Sequence, residues 1–312
     1  MKCRKCSQRA VFNMRRHKLA LCEEHYLEWF PAQVERAISK YHMFDREQRV
    51  LVAVSGGKDS LSLWDVLMQL GYQADGIYVD LGIDGGFGYS KLSFAKIEAF
   101  LAGRPAARLH VVDVLAEYGE TLPQAARRKL RGRDKPCAVC GLIKRHEMNR
   151  IACEHGYDVL ATGHNLDDEA AVLLSNVLYW QIGYLARQSP VLAAQDGLAR
   201  KVKPLCRLYE REVAAYALLR GIDYIYEECP YVTGSTTLFY KEMLNRLEAN
   251  SPGAKLQFYV HFLRARKEGF LGAQAAQVPL TPCPNCGQPT SVPGLCAFCR
   301  LWQPRDSREN DR

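Results

Sequence analysis

No apolar run in the 312-residue chain approaches the roughly 18 residues of a membrane span, which excludes a transmembrane helix. The opening residues, MKCRKC, contain no apolar segment, so a secretory signal is not expected and a cytoplasmic setting is. The G-x-x-x-x-G-K-[ST] phosphate loop is missing, and so is the G-x-G-x-x-G dinucleotide fingerprint, which disfavours a plain kinase, GTPase or dinucleotide enzyme. Hydrophobic residues make up 48% and charged residues 24%, far from disordered or collagen-like compositions. The formal charge of +8 is moderate; it accommodates an anionic partner without requiring one.

Cysteine, by contrast, is plentiful. Eight of the 12 cysteines fall in C-x-x-C pairs, and Cys22 is followed by His25 at the same spacing. Without a secretion signal, metal ligation explains these pairs better than disulfides do. Cys3 and Cys6, then Cys22 and His25, supply two short knuckles for one tetrahedral Zn²⁺, and a stretch this short needs the metal's folding energy. Cys283, Cys286, Cys296 and Cys299 form a second four-ligand set, with Gly287 and Gly294 suited to its tight turns. Two zinc modules are therefore expected, at residues 1–27 and 279–304, with a polar tail at 305–312.

Between them lies a linking helix (28–48), with Trp29, Phe30, Val34, Ile38 and Tyr41 near one face and Pro31 in its first turn. From Arg49 onward, strand-like and helix-like segments alternate to about residue 230, followed by a basic helical segment (231–278). This alternation predicts an α/β domain, a mostly parallel sheet with helices on both faces. Its ligands should gather at the C-terminal ends of the strands. Strand order is not legible.

The first strand runs into SGGKDS. In this turn Gly56 and Gly57 let the backbone curl around an anion, Ser55 and Ser60 offer hydroxyls, and Lys58 offers charge. Asp59 beside phosphate implies a bridging Mg²⁺ or a structural cap. This turn resembles the PP-loop of the N-type ATP pyrophosphatases, which bind ATP, form adenylated intermediates and release pyrophosphate. GHNLDD resembles the second element of that family, with Gly163, His164, Asn165, Asp167 and Asp168 in place. Asp167 and Asp168 can cap the following helix or hold a metal, and His164 can be an acid/base or a structural donor. The resemblance implies an adenine nucleotide alpha hydrolase-like fold and places Val52, Ala53, Val54, Tyr78 and Val79 near the adenine. One departure is the end of the second strand, where Asp80 and Asp84 flank Gly82.

Cys137, Cys140 and the distant Cys229 make three thiolates, where a structural zinc wants four ligands. Three suit a [4Fe–4S] cluster with one iron open to exogenous sulfide. The alternatives are a persulfide and resolving cysteine, with thiol pKa values lowered by Lys135, Lys144, Arg145 and the helix start, or an inert or zinc-binding role.

PP-loop, internal C-x-x-C, later cysteine and terminal zinc modules together resemble the TtuA/Ncs6/TtcA group of tRNA 2-thiolation enzymes across nearly the whole chain. ALCEEHYLEWF, CAVCGLIKR, EECP and CAFCRLW are most similar to the bacterial TtuA branch. That resemblance implies an ATP-dependent tRNA sulfurtransferase acting on ribothymidine at position 54, with wobble uridine as the alternative substrate. It assigns catalysis to Cys137, Cys140, Cys229, Lys58, Asp59, Lys144 and Asp168. It also implies a small ubiquitin-like sulfur carrier with a C-terminal thiocarboxylate. Transfer RNA would contact the zinc modules, Lys241, Arg246, Lys255, Arg264, Arg266 and Lys267, and the RRKLRGR run at 127–133; the paired zinc modules could equally support a homodimer. Another PP-loop ligase or amidating enzyme would leave the internal cysteines idle. A non-enzymatic zinc RNA-binding protein would leave SGGKDS and GHNLDD unexplained.

Overall fold

The computed structural model describes residues 1–128, 136–232, 236–271 and 279–303. Strands β1 (Phe12–Met14) and β2 (Leu19–Leu21) form a hairpin, and α1 (Glu23–Lys40) follows. Next come β3 (Arg49–Ala53), α2 (Lys58–Gln69), β4 (Gln73–Asp80), α3 (Tyr89–Leu101) and β5 (Leu109–Asp113). Helices α4 (Val114–Tyr118), α5 (Leu122–Arg128) and α6 (Pro136–Glu154) lead to β6 (Val159–Thr162), α7 (Leu166–Leu178) and α8 (Ile182–Arg187). The chain continues through β7 (Val191–Leu192), β8 (Arg200–Val202), α9 (Glu210–Leu219), α10 (Thr236–Asn250) and α11 (Ala254–Lys267). It closes with β9 (Thr281–Pro282), β10 (Pro289–Thr290) and α12 (Ala297–Trp302).

The central sheet has the order β5-β4-β3-β6-β8-β7, parallel except for β7. The four strands expected from sequence are its first four; the short β7–β8 pair was not foreseen. Because β3 pairs with β4 on one side and β6 on the other, the chain reverses direction of travel across the sheet there. That switch point leaves a crevice beyond the C-terminal ends of β3 and β6, where SGGKDS and GHNLDD both begin.

Alternation along β3 divides the interior in two. Val50 and Val52 join one core with Tyr26, Phe30, Trp64 and Tyr216, and Leu51 joins the other with Ile77, Val79 and Ile143. Each terminal module docks on a different core. In the N-terminal one, Phe30 stacks on Tyr216 at 4.3 Å, and Arg16 pairs with the buried Glu212 at 3.0 Å. In the C-terminal one, Phe298 stacks on His146 at 3.5 Å and Trp302 on Tyr118 at 4.7 Å. Burying aromatic rings this way is worth about 1.5–3 kcal/mol each, so both modules are structurally tied to the sheet.

Three details differ from the sequence reading. Helix α1 begins at Glu23, directly after Cys22 at its N-cap and with His25 in its first turn, so Pro31 lies inside the helix. The basic segment is two helices, broken at Ser251, Pro252 and Gly253, the last with φ +100°. Two of its cations turn inward: Lys255 is buried on Asp167 at 2.5 Å, and Lys241 meets Asp168 at 2.6 Å. Among the described residues, no helix is long and apolar enough to cross a membrane.

Candidate active site and metal centres

The phosphate turn is closed by its own side chains. Ser60 Oγ accepts from the Ser55 N–H at 3.1 Å and donates to the Gly57 carbonyl at 3.1 Å. Gly56 has φ +75°, and a Cβ there would lie 2.5 Å from the Ser93 carbonyl oxygen, so only glycine fits. Gly163 is constrained less severely, since a Cβ would lie 3.0 Å from the backbone of Asp59 and Ser60. The two motifs therefore pack backbone to backbone.

Their acids converge. Asn165 caps α7 in a capping box with Asp168 and donates from Nδ2 to Asp59 Oδ1 at 3.1 Å. Asp59 also accepts from Lys58 at 3.1 Å, and Lys58 reaches Glu210 at 2.7 Å. Burial, together with the nearby Asp168 and Glu210 charges, pushes the Asp59 carboxyl above its ordinary value despite Lys58. Such a carboxylate gains from a cation, which fits Mg²⁺. Asp167 is spent structurally, accepting from Lys255 and from the Glu210 N–H. His164 bonds Thr162 Oγ1 at 2.8 Å; its ring is solvent-accessible, yet the surrounding protein lowers its pKa, as on the floor of a crevice.

Beyond Ala53, Val54 N–H donates to Ile77 O at 2.9 Å, extending the β3–β4 pairing. Tyr78 is buried with its hydroxyl on the Ser90 carbonyl at 2.8 Å, and Val79 belongs to the opposite core. Ala53 is half-buried there. Asp80 and Asp84 cap their own loop, accepting from the Gly82 and Gly86 N–H groups. A hollow of about 720 Å³ lies at the opposite ends of β3 and β4, beside Arg49, Asp75 and Arg108, and contains none of these groups.

The segment after α9 links the turn to the sulfur residues. Ile225 N–H donates to Gly56 O at 2.9 Å. Cys229 is four residues further on, so its Cα is within about 14 Å of that of Ile225 even if the chain is fully extended. Cys137 Sγ donates to the Tyr231 carbonyl at 3.4 Å, and Cys140, Cys229 and Ala53 are each partly buried against the core that contains Leu51. Gly85 abuts Pro230, where a Cβ would lie 2.1 Å away. Lys144, one turn after Cys140, is half-buried and contributes charge to it. Burial nonetheless raises the Cys140 pKa, assisted by the Cys229 and Cys137 thiols, against the pull of Lys144 and Arg145. The lowered thiol pKa expected for free persulfide chemistry is therefore not found at Cys140. A buried thiol of this kind ionises most readily on a metal. Lys135 lies outside the described residues.

The terminal quartets are tighter. Cys3, Cys6, Cys22 and His25 place all their ligand atoms within 4.8 Å of one another, as do Cys283, Cys286, Cys296 and Cys299. A tetrahedron with Zn–S of about 2.3 Å has S···S edges of about 3.8 Å. Cys6–Cys22, Cys283–Cys299 and Cys286–Cys296 are each 3.7 Å. The N-terminal set is a zinc-type Cys₃His site. The three internal thiols are not so close. That suits ligands of separate irons, and neither Cys206, buried in the other core, nor Cys153, bonded to Gly197, supplies a fourth.

Residues 2–27 match the family model described as 2-thiouridine synthetase TtuA, N-terminal LIM domain. Over 97% of its length the chain is 51% identical to the tRNA-5-methyluridine(54) 2-sulfurtransferase of Thermus thermophilus, covering 91% of that protein. The chain belongs to the TtuA family of tRNA 2-thiolation enzymes. A second TtuA-type relative, the tRNA-5-methyluridine(54) 2-sulfurtransferase of Pyrococcus horikoshii, is 42% identical over 97% of this chain and 94% of its own. The fold matches the U34-tRNA thiolase NcsA of Methanococcus maripaludis, solved with its [4Fe-4S] cluster, with TM-score 0.79 and 24% identity over 96% of this chain and 95% of that one.

The sequence reading missed Glu210 and Ile225 in the TtuA-type crevice, and it read Lys241 as a tRNA-facing cation whereas Lys241 meets Asp168 and Glu210. No motif surrounds them; Glu210 at the start of a helix after a buried Tyr209 was the one available signal.

Proposed function

We propose that this protein is an ATP-dependent tRNA uridine 2-sulfurtransferase that replaces the C2 oxygen of ribothymidine at position 54 with sulfur. The observation that carries this reading is the Ile225–Gly56 hydrogen bond, which ties the Cys229 segment to the phosphate turn. Identity of 51% to a position-54 enzyme, against 24% to a U34 enzyme, favours position 54 over the wobble base.

A uracil C2 oxygen is a poor leaving group. In the reaction it attacks the α-phosphorus of ATP, pyrophosphate departs, and C2 then carries AMP as its leaving group. Lys58 and the amides of Gly56 to Ser60 offset charge on the phosphates. Mg²⁺ held by Asp59 and Asp168 would neutralise more of it. Sulfur then attacks C2, and AMP leaves. Cys137, Cys140 and Cys229 would hold a [4Fe–4S] cluster, which supplies an open iron to present that sulfur. Lys144 places a positive charge beside Cys140, and the backbone of Ala53, Val54, Tyr78 and Val79 would receive the adenine.

Both terminal quartets are taken as zinc sites, flanking a catalytic unit at 49–230. The tRNA surface includes those modules and the exposed Arg264 and Lys267. Arg128 is occupied elsewhere, with Glu120 and the Leu301 carbonyl, and 129–133 lie outside the described residues. A thiocarboxylated ubiquitin-like carrier in the cytoplasm is the expected sulfur donor, and the enzyme a homodimer. The test is pyrophosphate release from Mg–ATP on a tRNA transcript with uridine or cytidine at position 54. Release with uridine only is expected; equal release with both overturns the assignment.

A further inference from the structure

Six residues from four helices close a ring at the mouth of the crevice. Asp59 accepts from Lys58, and Lys58 reaches Glu210 Oε1 at 2.7 Å. Glu210 Oε2 meets Lys241 at 3.1 Å, and Lys241 meets Asp168 Oδ1 at 2.6 Å. Asp168 Oδ2 accepts from the Asn165 N–H at 3.0 Å, and Asn165 Nδ2 returns to Asp59. Three carboxylates face two ammoniums, an excess of one negative charge.

This ring is not needed to fasten α10 to the domain. Asn245, one turn after Lys241, already shares Lys255 with Asp167 in a buried pair, and Asp167 also holds the Glu210 N–H. Lys241 retains 17% side-chain exposure and Lys58 22%, whereas Lys255 has 2%. Glu210 presents one oxygen to each ammonium, which is how a phosphate would engage them. The two lysines are thus already arranged around an anion.

We propose that Lys241 is a phosphate ligand for the nucleotide, held in reserve between Asp168 and Glu210, with Glu210 the positioning residue that keeps Lys58 and Lys241 side by side. When Mg–nucleotide enters, its cation takes Asp168 and Lys241 transfers to the polyphosphate. Helix α10 thereby senses the nucleotide. This rests on the ATP reading above.

The test compares wild type, Lys241→Met, Lys241→Arg and Glu210→Gln by equilibrium binding of Mg–ATP, and by thermal midpoint with and without Mg²⁺ alone. Losing one charged phosphate contact should weaken Mg–ATP binding of Lys241→Met about ten- to hundredfold; Lys241→Arg should stay within about threefold of wild type. Without nucleotide, Lys241→Met leaves three acids facing one ammonium, so Mg²⁺ alone should raise its midpoint more than that of wild type. Glu210→Gln should bind Mg–ATP more weakly than wild type but more tightly than Lys241→Met. Folded Lys241→Met with wild-type Mg–ATP affinity and the wild-type Mg²⁺ response, or Lys241→Arg binding Mg–ATP as weakly as Lys241→Met, would overturn the proposal while leaving the ATP reading intact. Absence of Mg–ATP binding by wild type would remove both.

Discussion

Ile225 donates its backbone N–H to the carbonyl of Gly56, so the segment leading to Cys229 is pinned to the SGGKDS turn. In the proposed reaction this bond would join two halves: activation of a carbonyl carbon and delivery of sulfur to it. Gly56 can accept this partner because its φ of +75° turns the carbonyl outward while its missing side chain makes room for Ser93.

Gly56→Ala should therefore disturb both halves. The positive φ and the 2.5 Å approach to Ser93 O cost on the order of 1–3 kcal/mol. Mg–ATP affinity measured by calorimetry should fall at least tenfold, with a lowered thermal midpoint.

Replacing Cys137, Cys140 or Cys229 by serine should behave differently. Each removes a thiolate without touching the turn. Thiolation should be lost, with iron content reduced after anaerobic reconstitution, while Mg–ATP affinity stays within about threefold of wild type, since no thiol lies in the turn. Iron analysis and calorimetry on the same preparation check both halves.

Cys6→Ser should cost one equivalent of zinc and loosen the domain at a distance. The module it organises supplies Tyr26 to the core containing Val50 and Val52, and helix α1, which starts in the module, adds Trp29 and Phe30. Zinc-site loss should lower the thermal midpoint of the whole chain in one transition, read by scanning calorimetry.

His164 gives a pH signature. Desolvation by the protein around its solvent-accessible ring, then the Lys203 and Lys241 charges, lower its folded pKa from the ordinary 6.5, against Asp168 and Glu169. The unfolded chain then takes up the proton first as pH falls below 6.5, so His164 subtracts stability on the acid side and nothing above it. The thermal midpoint of His164→Asn should rise relative to wild type between pH 7.5 and 5.5.

The sequence disclosed what is encoded locally. Cys3, Cys6, Cys22 and His25 announce their site by spacing, because one zinc needs two short knuckles. Val50 to Val54 and the following glycines announce a strand and an anion turn. Strand order did not show, since every parallel crossover has the same local pattern. Lys241 and Lys255 read as surface charge because nothing nearby in sequence betrays their partners, Asp168 and Asp167, more than 70 residues away. Glu210 and Ile225 were illegible for the same reason. The β7–β8 pair, two and three residues long, falls below any periodicity.

The most direct measurement is mass analysis of nucleosides from tRNA incubated anaerobically with the reconstituted protein, Mg–ATP and sulfide. Sulfur should appear in ribothymidine at position 54, accompanied by AMP and pyrophosphate, and should vanish with Cys229→Ser. Sulfur incorporation by Cys229→Ser at the wild-type level would contradict the account.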